Sequence, residues 1–485
     1  MEGRRRKNRE ERLLEDLREG RPLPGRSRAA LVALLAVPTV LAELSTIAME
    51  YIDAGMVGRI GKSGAAAIGL VASTTWFFWG LLRGATTGFS VIVSQRIGAR
   101  RFREARAALL QGVAASFAFA ALLGALGAAI AAPLPRWLGG SPEIARDATR
   151  YFAAYMAFGL PVTVLHILGA RMLQAAGDMR SASVFNVLAC ALDVAFNFVF
   201  IFPTSRFHLF GASIVLPGLG LGVLGAALGT IAAEAVVAAA LAWALFARHP
   251  ILGLRRGEPL RFEKAVIREA LRIGLPVAGE SAVMTGAMVA STAIVAPLGT
   301  AALAANSFAV TAESLCYMPG YGIGSAATTL VGQAFGAGRR ALARSLAWTC
   351  TWTGVGVMTA TGALLFAFAP EAMALLTPDA DVRAAGAEVL RIEAFAEPAF
   401  AASIVASGAL RGAGDTLVPG ALNALSMWGV RIPLAALLVG RHGLRGVWIA
   451  MALELCVRGA MLLARQHSRS WSRRRAGGAG KGTGT

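Results

Sequence analysis

Apolar stretches of about twenty residues follow one another along almost the whole chain, separated by short breaks where glycine, proline and charge collect. A run of that length crosses the ~30 Å hydrocarbon core of a bilayer as a helix. The pattern predicts twelve spans, at about 29–57, 70–95, 106–132, 149–174, 181–203, 222–247, 266–297, 304–333, 343–369, 384–410, 417–439 and 445–464. The breaks are Arg100-Arg101, Pro133-Leu134-Pro135, Gly177-Asp178, Pro217-Gly218, Gly338-Arg339-Arg340, Gly414-Asp415 and Gly440-Arg441-His442. No soluble domain of ordinary size fits between them. The fold class is an all-α polytopic membrane protein with twelve transmembrane helices.

Sliding the chain along itself exposes a repeat offset by about 238 residues. Pro38 falls on Pro276, Gly61 on Gly299, Gln95 on Gln333, Gly98 on Gly336, Ala99 on Ala337 and Arg106 on Arg344. One residue closer, Pro161 falls on Pro398 and Gly177-Asp178 on Gly414-Asp415. Six spans per repeat is an even number, so the two halves insert in the same orientation, an architecture typical of transporters that alternate access by moving one half against the other. The domains expected are a basic tail (1–28), a first lobe of helices one to six (29–247), a linker (248–265), a second lobe of helices seven to twelve (266–464) and a basic Gly-rich tail (465–485). Paired Pro38, Pro276, Gln95 and Gln333 are the repeat-motif and hinge candidates; proline frees backbone groups and permits bending, although it is also common in membrane helices.

Composition agrees with this reading: of 485 residues, 56% are hydrophobic and 15% charged, against about 25% charged in soluble domains. The formal charge of +19 would suggest nucleic acid in a soluble protein. Here the positive charge lies at Arg4–Lys7, Arg100–Arg106, the connector 248–272, Arg339-Arg340 and Arg473–Arg475, all on the side shared by the termini. The positive-inside rule makes that side cytoplasmic, and nucleic-acid binding is not expected. Residues 1–28 lack the apolar core of a cleaved signal peptide; within them, Glu11–Leu17 reads as a short amphipathic helix or as disorder. Cys190, Cys316, Cys350 and Cys456 all fall in apolar runs without metal-type spacing and read as buried packing residues.

Charge inside the apolar runs is the candidate chemistry, since an ionised side chain in hydrocarbon costs at least ~2.5 kcal/mol. The first span carries Glu43, Glu50 and Asp53. For Glu43 and Glu50, a helix-end position or an arginine partner is an equal alternative to function. Further intramembrane charges are Arg83, Glu234, Glu313, Arg431, Glu454 and Arg458, some of them simple ion pairs. Trp76, Phe77, Phe78, Trp79, Tyr317, Met318 and Tyr321 suit either a cavity for flat cations or ordinary packing. GRIGKSG (58–64) and GGAGKGT (477–483) lack the spacing and the strand–helix context of a phosphate loop.

The elements YIDAGMVGRIG (51–61), VSQRIGA (93–99) with its echo VGQAFGAG (331–338), GLP (274–276), and LRGAGDT (410–416) with its echo LQAAGD (173–178) together resemble the multidrug and toxic compound extrusion (MATE) family of cation-coupled antiporters. The resemblance covers essentially all of 29–464. It implies two six-helix lobes in a V shape around a central cavity, and export of organic, mostly cationic compounds in exchange for Na⁺ or H⁺. Asp53 takes the position of the family's first-helix aspartate, which joins an Asn/Asp pair on helix five in a cation site. That pair resembles Asp193 and Asn197, four apart on one helix face, in reversed order, so the charge moves by a turn. Glu280, four residues after Pro276, resembles a helix-seven glutamate of many members. The second-lobe aspartate on helix ten has no evident match, and the nearby acids are Glu393 and Glu397. Arg83 departs from the family pattern.

Physical chemistry supports the same residues: a buried carboxylate can take up and release a proton near neutrality, and a hard cation prefers oxygen ligands. Asp53 falls on Ser291 in the repeat, so it is not a shared folding element; the bland alternative is that Asp53 and Asp193 pair with Arg83. The cation-coupling candidates are therefore Asp53, Asp193, Asn197 and Glu280, with Na⁺ at the first three as the metal expectation. Arg83, Glu313, Glu397 and Arg431 are cavity or ion-pair candidates. The function expected is a secondary active exporter in a bacterial inner membrane, working as a monomer with no cofactor beyond its coupling ion, with organic cations and membrane lipid as partners. A lipid or lipid-linked saccharide flippase, which calls for an arginine-lined cavity, and a channel are the alternatives. No catalytic constellation suggests an enzyme, and nothing supports an ATP-driven pump.

Overall fold

The structure, a computed structural model, describes residues 9–209, 212–255 and 262–473. Arg4–Lys7, the centre of the linker (256–261), Arg474-Arg475 and the GGAGKGT stretch lie outside the described residues. The first half of the chain runs through α1 (Arg9–Arg18), α2 (Gly25–Ile60), α3 (Lys62–Gly98), α4 (Phe102–Ile130), the short α5 (Leu134–Trp137), α6 (Pro142–Ala154), α7 (Leu160–Ala176), α8 (Met179–Ile201) and α9 (Val223–Trp243). The second half holds α10 (Lys264–Val295), α11 (Thr300–Gly336), α12 (Arg340–Ala367), α13 (Ala369–Leu376), α14 (Ala380–Ala394), α15 (Glu397–Gly412), α16 (Leu417–Ser426), α17 (Ile432–His467) and α18 (Ser470–Arg473).

Nine helical runs among the described residues are long and apolar enough to cross a membrane. The 37-residue α11 adds a tenth, α14 and α15 together an eleventh. The last run, Leu417–His467, divides at Gly443 (φ 55°, ψ −137°) into two spans, making twelve. The chain is a multi-pass membrane protein whose spans follow the apolar runs of the sequence. Spans four and ten are irregular at corresponding places. A π-turn over Tyr155–Gly159 precedes Pro161 in the first half, and a break at Phe395-Ala396 precedes Pro398 in the second. Pro38 and Pro276 instead sit inside unbroken helices.

One feature adds to the all-α reading of the sequence and another corrects its reading of the cysteines. The chain is not wholly helical: β1 (Pro203–Leu209) and β2 (Ala212–Leu219) form an antiparallel hairpin between α8 and α9. It is an insertion, because Gly222 before α9 (φ 57°, ψ −127°) has the same glycine-only backbone as Gly443 before the last span. That pair is 221 residues apart rather than about 238, so the repeat loses register across a hairpin of matching length. Cys456, expected to be buried, is exposed, and Cys190 is half-buried. Cys456 lies in an apolar helix whose outer face needs no polar cover in lipid, whereas Cys190 faces Thr46 of α2.

The halves meet through small residues, as expected where no hydrophobic drive separates helix from lipid. Gly80, Gly84 and Gly88 of α3 lie against α10: a methyl group added there would stand 2.7 Å from Ser281 Cβ, 2.6 Å from Ala278 Cβ and 2.2 Å from the Ala270 carbonyl oxygen. α2 packs along α11 in the same way, with Thr39 Oγ1 donating to Gly322 O at 2.9 Å and Tyr51 Oη to Thr311 O at 3.1 Å. The amphipathic segment near the N-terminus is a helix, α1, and it docks on the protein: Leu14 and Leu17 are 4% and 0% exposed in a cluster with residues of α11 and α12.

Candidate functional site

Asp53 and the Asp193/Asn197 pair come together. Asn197 sits one turn beyond Asp193 on α8 and donates both amide N–H groups, to Asp193 Oδ2 at 2.9 Å and to Asp53 Oδ1 of α2 at 3.1 Å. With two carboxylates in front of it, the amide must point its nitrogen at them. Asp193 and Asn197 are each 3% exposed, and Asp193 Oδ1 and Asn197 Oδ1 have no hydrogen-bond partner. The residual donor set is therefore all oxygen, buried and anionic, which fits a proton or a hard monovalent cation. Close packing against α9 holds the geometry, since a Cβ at Gly229 would stand 2.2 Å from Asn197 Oδ1. Arg83 is not the partner of these aspartates. No ion pair joins it to an acid among the described residues, and Glu43 of α2 lies within its electrostatic reach.

Behind this trio lies a polar chain that joins two candidates of the sequence, Trp79 and Glu234, through Tyr155 and Thr163, which carry no mark in it. Trp79 Nε1 donates to Tyr155 Oη at 2.8 Å, Tyr155 Oη lies 3.2 Å from Thr163 Oγ1, and Thr163 donates to Glu234 of α9. An indole N–H can only donate, so the hydroxyls must pass their hydrogens on toward the buried Glu234.

Glu280 stands apart from the trio. Both its carboxylate oxygens accept from Arg411 Nη2 at 2.8 Å, and Asn423 Nδ2 donates to Oε1 at 2.6 Å. Neither Arg411 nor Asn423 has a distinguishing sequence signal beyond the LRGAGDT element. Inside the second half, Glu313 (5% exposed), Glu393 and Glu397 (both 0%) share one buried cluster with Arg431 and Arg458. Glu393 and Glu397 flank the break in span ten, and all four of their carboxylate oxygens are buried without a hydrogen-bond partner. Arg431 lies in the electrostatic reach of Glu313 and Glu393 but forms no ion pair with them among the described residues, its guanidinium donating to the Met427 and Met451 sulfurs. Glu454, bonded to Ser426, pairs with Arg458 at 2.9 Å. Of the aromatic candidates, Phe78 is core, packed on Phe152, whereas Trp76, Phe77, Trp79 and Tyr321 are 62%, 38%, 37% and 37% exposed.

Gln95 and Gln333 form a two-fold lock between the halves. Gln95 Nε2 donates to Gly412 O at 3.0 Å and Gln333 Nε2 to Ala175 O at 2.8 Å, each reaching the equivalent position of the other repeat. The backbones are close enough that a Cβ at Gly98 would lie 2.0 Å from Gln333 O, and one at Gly336 1.9 Å from Gln95 O. These contacts join helix ends on the side of the termini. There α1 spans the seam, as Arg18 donates to Gln333 Oε1 at 3.0 Å and to Ala176 O at 2.8 Å. Burial lowers the Arg18 pKa to about 10, so it stays charged at neutral pH.

Comparison with known proteins agrees with this architecture. The MatE family profile matches twice, at residues 38–199 and 276–437, on the two repeats. Proteins named probable multidrug resistance protein NorM are 28% identical in Chromobacterium violaceum, over 90% of this chain and 93% of that protein, and 31% identical in Pseudomonas aeruginosa, over 86% and 85%. Among solved structures, a MATE crystallised with MaL6 superimposes with a TM-score of 0.84 at 21% identity, covering 92% of this chain and 98% of that one. An outward-facing multidrug resistance MATE family transporter of the MOP superfamily gives the same TM-score and identity, covering 92% and 97%. Twelve spans in two parallel repeats, a doubled profile match and full-length NorM relatives together make this chain a member of the MATE family of multidrug efflux transporters.

Proposed function

We propose that the protein is a secondary active antiporter of the cytoplasmic membrane, with both termini inside, that works as a monomer and exports amphipathic organic compounds in exchange for H⁺ or Na⁺ bound at Asp53, Asp193 and Asn197. One observation carries the reading: a single buried amide bridges two carboxylates from different helices, leaving Asp193 Oδ1 and Asn197 Oδ1 unsatisfied. Two acids this close repel each other unless a proton or cation sits between them. Such a site binds its ion tightly in one arrangement of α2 against α8 and loosely in another, and that difference is what couples ion entry to export. Glu280, neutralised by Arg411, is a positioning charge in this scheme rather than an ion ligand.

In proteoliposomes, an imposed pH gradient or Na⁺ gradient should drive dye export by the wild-type protein, and Asp53→Asn should abolish it while the protein remains folded and inserted. Wild-type rates in Asp53→Asn would remove the coupling role. Comparing the two gradients identifies the ion.

A further inference from the structure

Three guanidinium groups converge between the halves. Arg83 lies on α3, Arg171 on α7, and Arg411 on α15. Arg171 Nη1 donates to Thr87 Oγ1 at 2.7 Å, and Thr87 follows Arg83 by one turn, so both arginines share one face of α3. Arg171 lies within the electrostatic reach of both Arg83 and Arg411. Glu280 is fully engaged by Arg411 and Asn423, which leaves only Glu43 to balance Arg83 and Arg171. Among the described residues, Glu43 forms no ion pair with either, Arg83 makes no side-chain hydrogen bond, and Arg171 makes only the one to Thr87. Two guanidiniums at membrane depth that share one acid and make no ion pair with it leave a net positive charge, which is costly there and marks a functional site by default.

We propose that Arg83 and Arg171 form an oxyanion clamp for exported substrate, and that the class of compound it selects is an aromatic carboxylate, including zwitterions. A guanidinium offers a planar fork matched to a carboxylate, and Arg83 presents its donors from an exposed position on α3. One turn before it, Trp79 has its N–H committed to Tyr155 and so offers only its ring faces. An aromatic ring on Trp79 places a carboxylate substituent at the arginines. This inference rests on the export reading but is separable from ion coupling.

The test is equilibrium binding of rhodamine B, which carries a free carboxylate, and of its ethyl ester, to the purified full chain in phosphatidylcholine nanodiscs, with empty nanodiscs subtracted. The wild-type protein should bind the acid more tightly than the ester. Arg83→Gln and Arg171→Gln should each weaken the acid by about tenfold, the loss of one charge-assisted hydrogen bond, and change the ester by less than about twofold. Arg83→Lys, which keeps the charge but not the fork, should fall between them and controls for folding. Equal affinity for acid and ester, or equal loss of both in the variants, overturns the clamp. Repeating the titration with phosphatidylglycerol separates the sources of oxyanion: displacement of rhodamine B that disappears in Arg83→Gln assigns the site to a lipid headgroup and overturns the substrate role. Binding that discriminates acid from ester without gradient-driven transport would keep the clamp and remove the antiport reading; coupled transport without discrimination would do the reverse.

Discussion

The proposed ion site depends on a residue that carries no chemistry. Gly229 has no side chain, and that is why Asn197 can lie against α9 with its nitrogen facing two aspartates. Gly229→Ala should cost about 1–3 kcal/mol of stability through overpacking and should impair gradient-driven export out of proportion to that loss, read by thermal melting beside proteoliposome transport. Nothing in the sequence marks Gly229, because glycine is frequent throughout the apolar runs and its partner is three-dimensional. Asp53, by contrast, is legible: an acid in an apolar run, absent from the equivalent position of the second repeat. Arg171 is likewise a charge in an apolar run, but its place beside Thr87 of α3 is visible only in three dimensions. A second titrating group lies outside the membrane. His249 Nδ1 accepts from the Ile251 and Leu252 amides at 3.2 and 3.0 Å, and burial holds its pKa below the usual 6.5. Its neutral form is favoured by folding, so its contribution is present above about pH 6.5 and is lost as pH falls through the lower folded value. Amide exchange at Ile251 and Leu252 should quicken between pH 7.5 and pH 5 relative to neighbouring helical amides.

Among elements, span boundaries are readable from run length and punctuation, since each apolar run must bury its backbone polar groups in a helix. The hairpin is not, because β1 and β2 sit in one of the few stretches long enough to escape that constraint. The relation of α3 to α10 is also invisible, although Gly80, Gly84 and Gly88 stand four apart in the sequence. Spacing names a face but not its partner. Gly88→Ala would drive a methyl group to 2.2 Å from the Ala270 carbonyl oxygen, whereas a methyl group at Gly58 in α2 would meet nothing within 4 Å. The first substitution should lower the melting temperature and separate the helices, and Gly58→Ala should be neutral or stabilising by about 0.5–1 kcal/mol. Equal melting temperatures for the two variants would show that the α3–α10 contact does not hold the halves together.

For the whole molecule, the repeat foretells two similar halves, and the glutamines foretell their seam without saying what they do. Gln95 and Gln333 are hinge candidates by sequence, yet each is bonded across to the opposite half. The asymmetric addition is α1, which belongs to neither repeat. Its Arg18 touches both halves, the Asp16, Leu17 and Arg21 carbonyls at its end accept from Arg339, and its Glu10 pairs with Arg180 at 3.2 Å. Arg18→Ala should shift the molecule toward opening on the side of the termini by about tenfold, measured by the distance between spin labels on α3 and α11 near the seam. An unchanged distance distribution would show that the two glutamines suffice. The consequence concerns timing rather than strength: whenever the seam opens, α1 must let go of one half, so the pace of each cycle is set partly by a segment that binds neither ion nor cargo. A membrane or partner that competes for its charged face would then act as a throttle on export, leaving the stoichiometry of the proposed exchange untouched.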